Sequence, residues 1–346
     1  MKKRTFVLIC LLLTIPCLGI TITVDDNGPA DFNNIQAAVD DANGGDTVLV
    51  ADGTYQENIA IAGKSSITVR SENGPSNCII DCQGPNPIPG TQYFGFFINT
   101  DAPNCVIDGF TIMRASTTSS SLAGGVTCQV GTVVRNCIFE ENYSQSLGAA
   151  VGIARNCGSN GPEVINCTFV NNLSTAVVIK GGGYDKITLR NCISWANPTP
   201  DLATYPSSKC GLPKIDAEFS ILQIDWFNSV NCFVADPCFV NPLNGDYHLK
   251  SQAGRWNPTS QTWVQDDVTS VAIDVGNPMD PVGLEPFPNG GIINMGAYGG
   301  TAEASKSYFG GPVCQTIIAG DINGDCVVDF KDFAIMAFHW LDNNNP

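Results

Sequence analysis

"VRNCIFEEN" (134–142), "VINCTFVNN" (164–172) and "LRNCISWAN" (189–197) are three copies of one frame. Each passes through Asn-Cys and places a second Asn six positions after the first: Asn136 and Asn142, Asn166 and Asn172, Asn191 and Asn197. "IDGFTIMRA" (107–115) keeps the frame with Gly109 at the first Asn position, so the anchors follow one another at intervals of 27, 30 and 25 residues. Repetition at that period marks a stack of similar units. Apolar positions alternate along the frame, but the parity changes at the Asn, with Val134 on one side and Cys137 and Phe139 on the other. Side chains alternate strictly along a strand, so a chain that turns a corner with its apolar face inward must shift parity there. Asn and Gly are the residues that accept the left-handed backbone of such a corner.

Coils of variable length with fixed corners describe a solenoid, and the pattern resembles the right-handed parallel β-helix family, the pectin-lyase-like superfamily. The segment "DFNNIQAAVDDANGGDTVLVADGTYQENI" (31–59) is similar to that family's usual entry. In it Ile35, Ala38, Val39 and Ala42 fall at helical spacing and Gly44-Gly45 stops the helix, after which "DTVLV" starts the first strand. A helix there covers core and unpaired backbone that an open solenoid end exposes. The expected fold is all-β: a right-handed parallel β-helix solenoid of about eight coils, with an N-terminal capping helix and a short C-terminal calcium loop–helix. The repeats span about 46–230, and a closing region about 231–310 is expected to seal the far end, with an inserted hairpin at 255–267. Together they make a domain over 20–310, followed by a segment at 311–346.

Residues 1–19 have a basic start, a short apolar run and a small-residue end, the pattern of a secretory signal peptide cleaved near Gly19. No other apolar run is long enough to span a bilayer. The expected location is therefore secreted, extracellular or at the cell surface, or periplasmic. The net charge of −16 argues against nucleic acid, whose phosphates reward Lys and Arg. Of the 15 cysteines, those after corner Asn residues point inward by the parity argument, as a ladder of small apolar thiols. Some pairing of stacked neighbours stays open. With only His248 and His339 available and no paired Cys-x-x-Cys spacing, zinc is not indicated.

"GDINGDCVVDFKDFAIMAFHWL" (320–341) carries the clearest ligand pattern. Asp321, Asn323, Asp325, Asp329 and Asp332 occupy positions 1, 3, 5, 9 and 12 of a calcium loop, and Val327 offers its carbonyl at position 7. Hard oxygen donors at that spacing suit Ca2+, with affinity on the order of 10⁻⁴–10⁻³ M as in extracellular modules. The segment resembles a dockerin-type repeat, in which one apolar helix follows the loop. Cys326 stands where Gly is usual, and one repeat is present where dockerins carry two. Cys314 is a candidate disulfide partner for Cys326. The resemblance implies a cohesin-like or cell-surface protein partner, and the lone repeat suggests a fastening at the end of the rod.

Catalytic signals are sparse. Asp81, Asp108 and Arg135, followed by Ile165 and Arg190, are expected in one outward column before successive corners, where two carboxylates beside an arginine resemble glycosidase or lyase spacing. Charges of opposite sign stacked for mutual stability explain the same column. Trp256 and Trp263 in the hairpin suit either sugar stacking or packing. The sequons at Asn142, Asn166 and Asn172 belong to the ladders. The functional expectation is a secreted, carbohydrate-associated protein that binds or processes polysaccharide and carries a calcium-binding tail. A polysaccharide lyase or glycoside hydrolase acting on an acidic or plant- or algal-type glycan is the alternative, and a non-catalytic adhesive protein is a third.

Overall fold

The computed structural model describes residues 19–83, 88–154, 161–181, 186–206, 213–310, 320–323 and 327–339. Residues 1–18 of the expected signal peptide, and Cys314, Asp325 and Cys326, lie outside them. The chain winds into a parallel β-helix with three walls. The first wall has nine strands, from Thr21–Val24 to Ser229–Val230; the second and third have six each. Six complete turns result, fewer than the eight expected, because the residues after about 235 do not form coils. Beyond them the first wall continues through Lys214–Glu218 and Ser229–Val230, and parallel bridges from Ile193 to Ile221 and from Ile221 to Phe233 extend the second.

Helix α1 (Ile35–Asp41) covers the front of the solenoid. Asn34 caps it by accepting from the Ala37 N–H at 2.8 Å, and the Glu57 carboxylate accepts from the Ile35 and Gln36 N–H groups. These are among the donors a helix start leaves without internal partners. Ile35, Ala38 and Val39 are buried against the first coils, as their spacing required.

Register follows the repeated frame. Val134 pairs with Val164 and Val164 with Leu189 on the first wall; Phe139 pairs with Phe169 on the second, their rings stacked at 5.4 Å. The corner residues adopt the left-handed backbone: Gly109 at φ 82°, Asn136 at 50°, Asn166 at 47°, Asn191 at 56° and Asn231 at 53°. One residue later a buried column runs Cys78, Phe110, Cys137, Cys167, Cys192, as the in-register pairs Ile79–Thr111, Thr111–Ile138, Ile138–Thr168 and Thr168–Ile193 require. The nine described cysteines are free thiols. Asn104-Cys105 is not part of this column; Cys105 is buried at another corner, one residue before the first-wall strand Val106–Asp108.

The second Asn of each frame forms its own ladder. Asn172 Oδ1 accepts from Asn142 N–H, Asn197 Oδ1 from Asn172 N–H, and Gln223 Oε1 from Asn197 N–H, while each Asn amide donates to a carbonyl of the preceding coil. These buried amides satisfy corner backbone groups that the sheets leave unpaired. Asn142, Asn166 and Asn172 are buried, so the sequons are parts of the frame.

The closing region departs from expectation. Instead of sealing the far end, it lies along the outside of the second wall. Phe239, Tyr247, Leu249, Met295 and Tyr298 form a second apolar cluster with the outward side chains Ile138, Val170 and Ile193. The apolar outer face of the second wall needs covering, and this segment covers it. The corner Asn residues fasten it: Asn136 Nδ2 donates to the carbonyls of Ala297 and Gly299, and Asn166 Nδ2 to that of Asn294. Gly299 is required there, since a Cβ would lie 2.3 Å from Asn166 Nδ2. The expected hairpin is present as Arg255–Asn257 paired with Thr262–Val264; Trp256 packs edge-on against Trp263, and Lys306 sits over the Trp263 ring.

Candidate functional site

Where the covering segment stops short of the second wall's edge, a cleft of about 750 Å³ opens. Arg114, Glu140, Glu141 and Asn171 supply its polar lining, and Tyr143 and Leu243 part of its apolar lining. The solenoid positions these residues by register. Glu140 is the outward residue that ends Ile138–Glu140, while Arg114, Glu141 and Asn171 are the left-handed residues that follow three successive strands, at φ 57°, 53° and 50°. The short two-strand sheet of Ser116–Thr117 and Tyr143–Ser144 forms one side. The 3-10 turn Pro242–Asn244 forms the other and leaves Leu243 exposed.

Glu140 is the distinctive titrating group. Burial pushes its carboxyl above the ordinary range, the Tyr247 hydroxyl that donates to Oε1 opposes that, and the neighbouring Glu141 charge adds to it. Asn171 Nδ2 donates to the same Tyr247 oxygen at 3.4 Å. A partly buried carboxyl that keeps its proton beyond the usual pH can donate it. Sequence spacing gave no sign of this site, because Glu140 and Tyr247 are 107 residues apart.

The expected column of charges is only partly present. Asp108, Arg135, Ile165 and Arg190 do stack on the first wall, continued by Glu218 and preceded by Arg70. Asp81 is not in it: it belongs to the second wall, where it pairs with Met113. The turn containing Gly74 lengthens that corner and moves Asp81 past it. Both acids are engaged by arginines. Arg114 grips both oxygens of Asp81, with Nε 2.9 Å from Oδ1, and Arg135 holds Asp108 at 2.9 Å. Asp81 and Asp108 therefore do not face one another as an acid pair. Arg190 bridges to Asp280 of the covering segment at 2.7 Å.

At the C-terminal loop, Asp332 lies in the first turn of helix α2 (Phe330–His339) and turns back on the loop. Its Oδ1 accepts from the Ile322 and Asn323 N–H groups at 2.7 and 3.0 Å, and its Oδ2 from the Asp329 N–H at 2.7 Å. Those bonds, Asp329's first, hold its carboxyl below the usual range. Asp321 and Asn323 are also buried. Asp329 instead accepts from the Lys331 N–H, and Val327 is exposed. Among the described residues no group of three or more His, Cys, Asp or Glu side chains is gathered to hold a metal ion, and Asp325 lies outside them. Among the described residues the helix leaves Phe330 and Phe333 exposed.

His248 lies under Tyr298, with their rings stacked at 3.7 Å. Its Nδ1 is 2.7 Å from Asp246 and its Nε2 3.2 Å from Glu303. His248 is buried, while Asp246 and Glu303 are each about a fifth exposed. Tyr298 continues to Ser76 on the second coil and so joins the covering segment to the solenoid.

Residues 225–276 match a family model described as disaggregatase related. The match covers the end of the last coil, the hairpin and the start of the covering segment. No curated protein matches the chain.

Proposed function

We propose that this is a secreted, carbohydrate-associated β-helix protein that binds polysaccharide at the cell exterior through the cleft beside Glu140. The observation that carries the reading is the cleft itself: an open trough of about 750 Å³ where hydrogen-bonding groups of Glu140, Glu141 and Asn171 alternate with the apolar faces of Tyr143 and Leu243. Sugars present that mixture, with hydroxyls at the rim and C–H faces that pack on aromatic rings. The partial match to a disaggregatase-related model supports a protein that works at a surface or processes surface material.

The tail is the calcium-binding part of the proposal. Asp321, Asn323, Asp325, the Val327 carbonyl, Asp329 and Asp332 would hold Ca2+, which would fix the loop against α2. The return of Asp332 to the loop's start fits that role. A cohesin-like or cell-surface protein is the partner this dockerin-like tail would engage.

Binding to a panel of soluble polysaccharides, followed by calorimetry, tests the cleft. Tyr143→Ala and Leu243→Asp should each abolish binding without changing the melting temperature. Silence across the panel, or binding that survives both changes, removes the reading. Glu140 favours one further possibility, cleavage of a glycosidic bond with Glu140 as proton donor. Reducing or unsaturated ends released by the parent and not by Glu140→Gln would establish it.

A further inference from the structure

The covering segment contains two carboxylates that neither the cleft nor the tail uses. Glu285 is only 6% exposed. Its Oε1 accepts from the Asn294 and Gly300 N–H groups, both at 2.8 Å, while its Oε2 has no hydrogen-bond partner among the described residues. Asn294 connects it to the second acid, since the Asn294 side-chain oxygen accepts from the Asp274 N–H at 2.9 Å. Asp274 has a left-handed backbone at φ 59° and takes the Ser307 hydroxyl on Oδ1 at 2.8 Å. The turn at Gly290 is cut close around it: a Cβ on Gly290 would lie 2.5 Å from Asp274 Oδ2.

An unsatisfied carboxylate oxygen shut away from water is costly, and a second carboxylate nearby makes it more so. Burial pushes Glu285 up to about 8 and Asp274 up to about 6, and the Asp274 charge adds to the shift at Glu285. Either a proton or a cation can relieve such a pair. The donors are oxygens throughout, which suits a hard ion and not a soft one.

We infer that Asp274, half-buried, and Glu285, buried, form a cation site of the calcium class within the covering segment, separate from the C-terminal loop. The ion would pin the glycine turn at Gly290 to the chain around Asn294, whose carbonyl receives the Asn166 amide of the solenoid. Metal at this place would therefore strengthen the attachment of the covering segment to the second wall.

Calorimetric titration of the chelator-treated full chain with calcium chloride tests the site. A chain carrying Asp321→Ala and Asp332→Ala, which silence the tail, should still take up one equivalent and still melt higher in calcium. Adding Glu285→Gln, close in shape and able to keep the Asn294 and Gly300 bonds, should remove both the equivalent and the calcium-dependent rise, with an unchanged circular dichroism spectrum. The inference is overturned if the tail-silenced chain takes up no calcium, or if uptake survives Glu285→Gln. Loss of the only equivalent by the tail changes alone would uphold the tail and sink this site. One equivalent that depends on Glu285 alone would do the reverse.

Discussion

Asn166 Nδ2 donates to the carbonyl of Asn294 at 2.8 Å, joining a corner of the fifth coil to a segment 128 residues further along the chain. One residue thus has two tasks. Its backbone takes the left-handed corner conformation, and its side chain pays the hydrogen-bond debt of a carbonyl that would otherwise be buried alone. Asn166→Ala loses both and should destabilise by roughly 3 kcal/mol. Asn166→Gly keeps the backbone freedom and should lose about 2 kcal/mol. Urea unfolding of the two variants gives the comparison, and equal losses would show that the corner conformation carries no weight.

The thiol column makes a second claim. Cys167 and Cys192 are fully buried, and burial pushes Cys192 up to about 12. A thiolate is the reactive species, so these groups should resist alkylation in the folded protein. Cys232 and Cys238 are only half-buried and should react first. Iodoacetamide labelling followed by peptide mass spectrometry separates the two classes. Labelling of Cys137, Cys167 and Cys192 should appear only as the protein unfolds, and early modification there would contradict the stacked interior column.

Repetition explains what could be read in advance. Each coil repeats the same local problem, a corner followed by an inward small residue, so Asn136, Asn166 and Asn191 declare it three times. The number of turns and the place of the closing region were not legible, because the contacts of residues 236–307 join positions far apart in the chain and have no period. Asp81 shows how local register fails: a longer corner around Gly74 carried it onto another wall, where Arg114 holds it. Glu140 was invisible for a related reason, since its environment is made by Tyr247 from the covering segment.

Stability should fall as pH rises from about 4 to about 8 in chelator. Glu285 and Asp274 are raised by burial, to about 8 and about 6. At His248, burial disfavours the charged form, but the bonds to Asp246 and Glu303 outweigh it and hold the imidazole above its ordinary value. All three bind protons more tightly when folded, so each contribution is complete below the unfolded-state value and is lost as pH climbs through the folded one. Lowered carboxylates such as Asp31 and Asp46 act in the opposite sense, but below about pH 4. The slope is about 1.4 kcal/mol per pH unit for each proton released. His248→Gln should flatten the part of the curve above pH 6.5, and urea midpoints across the range will show whether it does.

Asp332 offers the sharpest handle on the tail. Its carboxylate gathers three backbone N–H groups, from Ile322, Asn323 and Asp329, so one side chain closes the loop from the first turn of α2. An acidic group at a helix start is also favoured by the helix dipole. Asp332→Ala removes all of this and should make residues 320–339 sensitive to limited proteolysis in calcium, where the parent resists. The melting temperature of the solenoid should not move, because its core is built from other residues. Phe330→Ala is the control: Phe330 is 88% exposed, so its loss should leave protection intact. Equal protection of parent and Asp332→Ala would mean that the loop is closed by something other than this carboxylate.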